Sequence, residues 1–273
     1  MNKLNPFPAQ KIIYFLLVVF MAVGLKYTYS QSTSEDLVWI LGPTASLVEF
    51  ITGEQFVKEA NIGYVSADQN VAIIPACAGI NFMIAAFLMS ALTILYRMKR
   101  KEYLALGVLA GFAAAYGATL CANSLRIIMS ICLYRTDIYT LWITPERVHR
   151  LAGVVIYFIC LCLLYFGVRK ITSRHDLFPA RRQKEEDGNF KSSLLSCSIP
   201  LFWYLLITLA LPALNQASRK NPALFWEHAW SVLAVSYLLF VLMFLLVLCY
   251  NYEKPKHGTT GNCHEAANSD RGR

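Results

Sequence analysis

Charge is what this sequence has least of. Only 15% of its 273 residues are charged, whereas 56% are hydrophobic and the mean hydropathy is +0.45. A water-soluble domain carries roughly a quarter charged residues and confines its apolar residues to one face of each element. Here the apolar residues come in blocks about 20 residues long, the length that crosses a bilayer. Inside those blocks acidic and basic side chains are almost missing, which argues against a polar path for ions or protons. The eight cysteines form no CxxC pair and show no Cys/His metal spacing. Cys121, Cys132, Cys160, Cys162, Cys197 and Cys249 fall in apolar blocks and read as small apolar fillers, and Cys263 sits in a polar tail. No metal, organic cofactor or nucleic-acid partner is implied. The net charge of +8 matters through its placement.

What is present is a set of spans. The first block, Ile12 to Leu25, is flanked by Lys11 and Lys26, whose stems can snorkel, and by Tyr27 and Tyr29. No small-x-small cleavage site follows, so a retained signal-anchor helix is expected over a cleaved signal peptide. Residues 28–74 form the longest polar excursion. Within it Val38 to Ile51 is too interrupted by Gly42-Pro43 and Glu49 for a span and reads as an interfacial amphipathic helix. The run from Ile62 to Ile74, with Ala67-Asp-Gln-Asn70 at its centre, reads as a β-hairpin. The second span follows from Pro75 to Tyr96 and ends at a basic cluster, Arg97 to Lys101.

The third span, Tyr103 to about Tyr134, carries small-residue faces at Gly107-x-x-x-Gly111 and Ala113-Ala-Ala-Tyr-Gly117 for close packing. Beyond a short loop containing Trp142, Thr144-Pro145-Glu146 has the chemistry of a helix start, and the fourth span runs to about Val168. The fifth is expected over Leu194 to Leu214 and the sixth over Ala229 to Tyr250. The expected fold is therefore an all-α polytopic membrane protein with about six spans, an extracytoplasmic amphipathic helix and a small hairpin before span two. It divides into a core, 1–168, a basic loop, 169–191, a C-terminal pair of spans, 192–251, and a disordered tail, 252–273. The amino end, residues 97–101, residues 169–191 and the tail carry the bulk of the 25 Lys and Arg residues. The positive-inside bias puts both termini in the cytoplasm.

That orientation brings three residue types to one depth. Cys77 stands at the outer end of span two, Arg126 at the outer end of span three and His149 at the outer end of span four. Pro75 suits a first helical turn, which places Cys77 among unpaired backbone N–H groups that favour an anion. A thiolate is the reactive nucleophile. A histidine can take the thiol proton and return it to a leaving amine. Arg126 offers five donors and never deprotonates, so it suits a developing oxyanion. Asn123, three residues before it on the same helix face, is placed to orient it. Each has a plainer reading: Arg126 and His149 as interfacial residues, and Arg147 and Arg150 as anchors. His228, in Trp226-Glu227-His228 at the outer start of span six, competes with His149 as the base. His175, His257 and His264 read as solvated on the cytoplasmic side.

The blocks Ala76-Cys-Ala-Gly-Ile80, Asn123-Ser-Leu-Arg126-Ile and His149-Arg-Leu-Ala-Gly153 resemble the exosortase/archaeosortase family of polytopic membrane proteins, and most nearly the exosortase K subgroup. The likeness covers roughly Val38 to Val168. It implies a cysteine transpeptidase or protease of a bacterial inner membrane, with its active site outside the cytoplasm. Its partners would be exported proteins ending in a sorting signal: a short motif, one transmembrane helix and a basic cluster. By that resemblance Cys77 is the nucleophile, Arg126 the stabilising cation and His149 the acid/base. Pro75 and Ala78 depart from the commoner family pattern, an acidic residue and serine. The alternative is a non-enzymatic scaffold or transporter component of surface-polymer export.

Overall fold

A computed structural model describes residues 9–68, 71–135, 144–174, 190–214 and 222–253. The loop around Trp142, His175, His257, His264, Cys263, most of the 169–191 loop and the tail beyond 253 lie outside the described residues. The chain is a helical bundle, with six helices long and apolar enough to cross a membrane. They lie in α1 (Ala9–Gln31), α3 (Ile80–Arg97), α4 (Leu104–Arg135), α5 (Pro145–Arg174), α6 (Phe190–Leu205) with the turns that continue it, and α8 (Pro222–Glu253). It is a multi-pass membrane protein of the expected fold class.

Helix α3 is the axis of the bundle. From Ile80 to Ala91 every residue but Asn81 is at least nine-tenths buried, and α1, α4, α5 and α6 all pack on it. Its tightest neighbour is α4. A Cβ added at Gly111 would stand 2.7 Å from the Cα of Ala91, and one at Gly107 3.1 Å from Ile94 and Met98. The small residues let the two backbones approach. Ser90 Oγ lies between the two helices, 2.7 Å from the Ala86 carbonyl and 3.0 Å from that of Gly111, and its one proton is shared between them. Gly117 does not share this role: it faces outward with open space around its Cα. By contrast α1 and α8 keep most of their apolar surface exposed, Phe20 and Leu246 among it. Hydrocarbon is the solvent that such surfaces fit.

Helix α2 (Val38–Thr52) continues through Pro43. The expected break at Gly42-Pro43 does not occur: the Trp39 carbonyl, four residues before Pro43 and deprived of its N–H, accepts instead from the Tyr116 hydroxyl of α4 at 2.8 Å. At 15 residues α2 is too short to span. It buries Ile40, Leu41, Thr44, Ala45 and Val48 on one side and leaves Phe50 and Ile51 exposed on the other. The expected hairpin is present as β2 (Gly63–Ser66) paired antiparallel with β3 (Ala72–Ile73). A further strand, β1 (Phe56–Glu59), extends it to a three-stranded meander, β1-β2-β3.

Two boundaries differ from expectation in ways that shape the site. Pro75–Cys77 is a single 3-10 turn, separate from α3. Gly79, at φ +66°, interrupts the chain between them and caps α3, which starts at Ile80. Cys77 therefore does not lie in the first turn of the long helix, and the argument from that helix's dipole does not apply to it. Helix α8 starts at Pro222, earlier than the expected Ala229, so Glu227 and His228 sit inside a helix rather than at its mouth.

Candidate active site

The turn that carries Cys77 is built by short-range bonds. Cys77 N–H donates to the Ile74 carbonyl at 2.7 Å, and Ala78 N–H to the Pro75 carbonyl at 3.0 Å. From α1, the Tyr29 hydroxyl donates to the Pro75 carbonyl at 3.4 Å, and Lys26 Nζ donates to Asn81 Oδ1 at 2.7 Å. The first helix thus holds both ends of the Pro75–Asn81 segment. Cys77 is half-buried and packs against the core cluster.

Helix α4 contributes Asn123, Arg126 and Ser130, which share one face at helical spacing. Asn123 is fully buried. Its Oδ1 accepts a 2.5 Å hydrogen bond from the Tyr157 hydroxyl of α5. The Arg126 guanidinium lies over the ring of the same tyrosine, 5.2 Å from its centroid. The expected link between Asn123 and Arg126 therefore runs through Tyr157. Asn123 Nδ2 and Arg126 Nε are buried donors with no partner among the described residues. Tyr29 and Tyr157 are both close enough to interact electrostatically with Cys77 and with Arg126.

Helix α5 opens as expected. Thr144 accepts from the Arg147 N–H through its hydroxyl at 3.3 Å and from the Val148 N–H through its carbonyl at 3.0 Å, with Pro145 first in the helix. His149, Gly153 and Tyr157 then recur every four residues and form one face. Gly153 is where Arg126 crosses: an added Cβ would meet Arg126 Cδ at 3.3 Å. His149 Nδ1 lies 2.7 Å from Ser130 Oγ, and that hydroxyl is also 2.9 Å from the Arg126 carbonyl. When the serine proton goes to the carbonyl, Nδ1 must be the donor to Oγ, which leaves Nε2 as a free base.

These faces enclose a cavity of about 620 Å³. Arg126 and His149 line it, as do Ala76 and Gly79 on either side of Cys77, although Cys77 itself is not among its lining residues. Tyr157 and Phe82, stacked with centroids 5.0 Å apart, also line it. His228 also lines it, from α8, so the structure brings both candidate bases to one space. The C-terminal helices supply that far wall. After α6 the chain widens into a π-turn, Leu206–Ala210, and then continues as the short α7 (Leu211–Leu214). Pro212 has no N–H and its ring crowds the carbonyl four residues back, which the wider turn relieves. That turn presents Ile207 and Thr208 to the cavity. Glu227 of α8 accepts from Arg150 at 2.9 Å and pairs with Arg147 at 3.3 Å, clasping α8 to α5. Arg147 and Arg150 are thus more than interfacial anchors.

Sequence reasoning gave no role in the site to Tyr157, Ser130, Tyr29 or Glu227. The first two were readable in principle, as the four-residue series His149, Gly153, Tyr157 and the pair Arg126, Ser130. The others depend on which helices become neighbours.

Comparison with known proteins adds a family and no relative. Among curated proteins and among solved structures no match is found. The family model described as Transmembrane exosortase (Exosortase_EpsH) matches residues 8–166. The match takes in α1 to most of α5, and so Cys77, Arg126 and His149, but not α6 to α8. With more than half of the chain matched, and a six-helix membrane fold around it, the protein belongs to the transmembrane exosortase family.

Proposed function

We propose that this protein is a membrane-embedded cysteine transpeptidase or protease that cleaves the carboxy-terminal sorting signal of exported proteins. The observation that carries the reading is the shared cavity: Arg126 of α4, His149 of α5 and the residues flanking Cys77 all border it. Cysteine, histidine and a fixed cation on separate elements are the minimum set for thiol acyl transfer.

In this reading the Cys77 thiol gives its proton to His149 Nε2, and the sulfur attacks the scissile carbonyl. Ser130 holds the other ring nitrogen at 2.7 Å, so the imidazole keeps one tautomer. The tetrahedral oxyanion meets the Arg126 guanidinium, which Tyr157 holds by its ring face. One good donor to such an oxyanion contributes about 3–4 kcal/mol. The C–N bond then breaks, His149 returns its proton to the leaving amine, and an acyl thioester remains on Cys77. An amine resolves it in a transpeptidase, water in a protease.

The substrate is an exported protein whose single helix docks in the bilayer beside the bundle. The reaction lies at the outer face of a bacterial inner membrane, with both termini of the enzyme in the cytoplasm. The distribution of Lys and Arg supports that orientation. The test is processing in cells of a co-expressed exported protein that ends in a polar motif, an apolar helix and a basic cluster. Cys77→Ala and Cys77→Ser are expected to leave it full-length while Cys121→Ala processes normally. Normal processing by Cys77→Ala overturns the reading in favour of a scaffold or transporter role.

A further inference from the structure

The cavity holds a second imidazole that the proposed acylation step does not use. His228 faces it from α8, outside the segment matched by the family. Among the described residues no carboxylate lines the cavity. The two helices that carry these rings are tied together. Glu227, next to His228, bonds Arg150, next to His149, at 2.9 Å, and this clasp joins the two helices beside both imidazoles. His149 is bonded to Ser130 on the wall shared with Arg126, whereas His228 stands on the wall formed by the C-terminal helices with Thr208 and Phe225.

Thiol acyl transfer moves protons twice. The first transfer serves the leaving amine and the second serves the incoming nucleophile, and nothing requires one base for both. We infer that His228 is the base of the second half-reaction, taking the proton from the acceptor that resolves the Cys77 thioester. This rests on the acyl-transfer reading above. The acceptor, an amine or water, attacks the thioester carbonyl while His228 removes its proton. The C–S bond breaks and Cys77 leaves as thiolate, which recovers its proton from His228. The retained part of the substrate departs joined to the acceptor. The C-terminal helices then act as the acceptor side of the enzyme and the family-matched core as its acylation side.

The experiment uses the full-length enzyme in membranes with the exported protein described above, tagged at both ends. In His228→Gln the first turnover is expected to release the C-terminal fragment at the wild-type rate, as a burst of one per enzyme, which also reports that the variant is folded. The N-terminal part should remain on Cys77 as a thioester, with its resolution slowed on the order of 10²- to 10⁴-fold. Hydroxylamine, a strong nucleophile that needs little help from a base, should restore its release. His149→Gln should form no thioester. A His228→Gln enzyme that resolves the thioester at the wild-type rate overturns the inference, as does one that fails to release the C-terminal fragment while His228→Asn releases and resolves normally. If instead Cys77→Ala processes the substrate, it is the acyl-transfer reading that fails.

Discussion

Gly79→Ala is the substitution in which backbone, packing and chemistry meet. Gly79 has φ +66°, in the left-handed region, and an added Cβ would stand 2.5 to 2.8 Å from the amide atoms of Asn123. Ordinary carbon contacts begin near 3.4 Å, so the turn and α4 must separate by about 1 Å. A non-glycine residue in this conformation costs about 1–2 kcal/mol. Displacing Asn123 also strains its buried bond from Tyr157, and losing a buried pair costs about 1–3 kcal/mol. The expected destabilisation is therefore about 2–5 kcal/mol. A displacement of about 1 Å near reacting groups lowers a rate on the order of 10²-fold. The assay is twofold: unfolding of the purified protein in mixed detergent, and the processing rate in membranes. Gly117→Ala is the control, since open space surrounds Gly117 and alanine is the better helix former. If Gly79→Ala matches Gly117→Ala in both measurements, the contact between the cysteine turn and Asn123 is not what holds the site.

Three other outcomes follow from the geometry. Gly111→Ala should lower stability by about 1–3 kcal/mol through overpacking against Ala91, measured by the same unfolding assay; a neutral result would remove the close α3–α4 approach. Ser130→Ala should lower the processing rate about 10-fold or more, and nitrogen NMR should find the His149 ring no longer held as the Nδ1–H tautomer. An unchanged tautomer would dismiss Ser130 as its positioning residue. In a background without native cysteines, a cysteine at Glu35 should react with a membrane-impermeant maleimide added to intact cells, and one at Lys99 should not. The reverse pattern would invert the proposed orientation.

The spans were legible because each depends on one local property, about 20 apolar residues in a row. The start of α5 was legible for a similar reason, since Thr144 and Pro145 act within one turn. The β2–β3 pair was marked by turn residues between apolar runs, but β1, Phe56-Val-Lys-Glu59, has no such alternation and forms by pairing with β2. The turn at Cys77 was misread as helix because Pro75 is equally suited to a 3-10 turn. What ends that turn is the left-handed Gly79, which is set by packing against Asn123 on a distant helix. Among the site residues, Arg126 and His149 could be placed by helix length and orientation alone. Tyr157 could have been found from its spacing after His149. His228 was named from the sequence as a competing base at the outer start of span six; that it lines the same cavity depends on how α8 packs on α5, where Arg150 and Glu227 pair 77 residues apart.

The measurement that bears most directly on the proposed chemistry is mapping of the covalent intermediate. Membranes carrying wild-type enzyme are quenched in acid during processing, digested and analysed by mass spectrometry. The substrate acyl group is predicted on the sulfur of Cys77, labile to hydroxylamine and lost with Arg126→Ala or His149→Gln. An acyl group on any other residue, or steady processing through Cys77→Ala, would contradict the account.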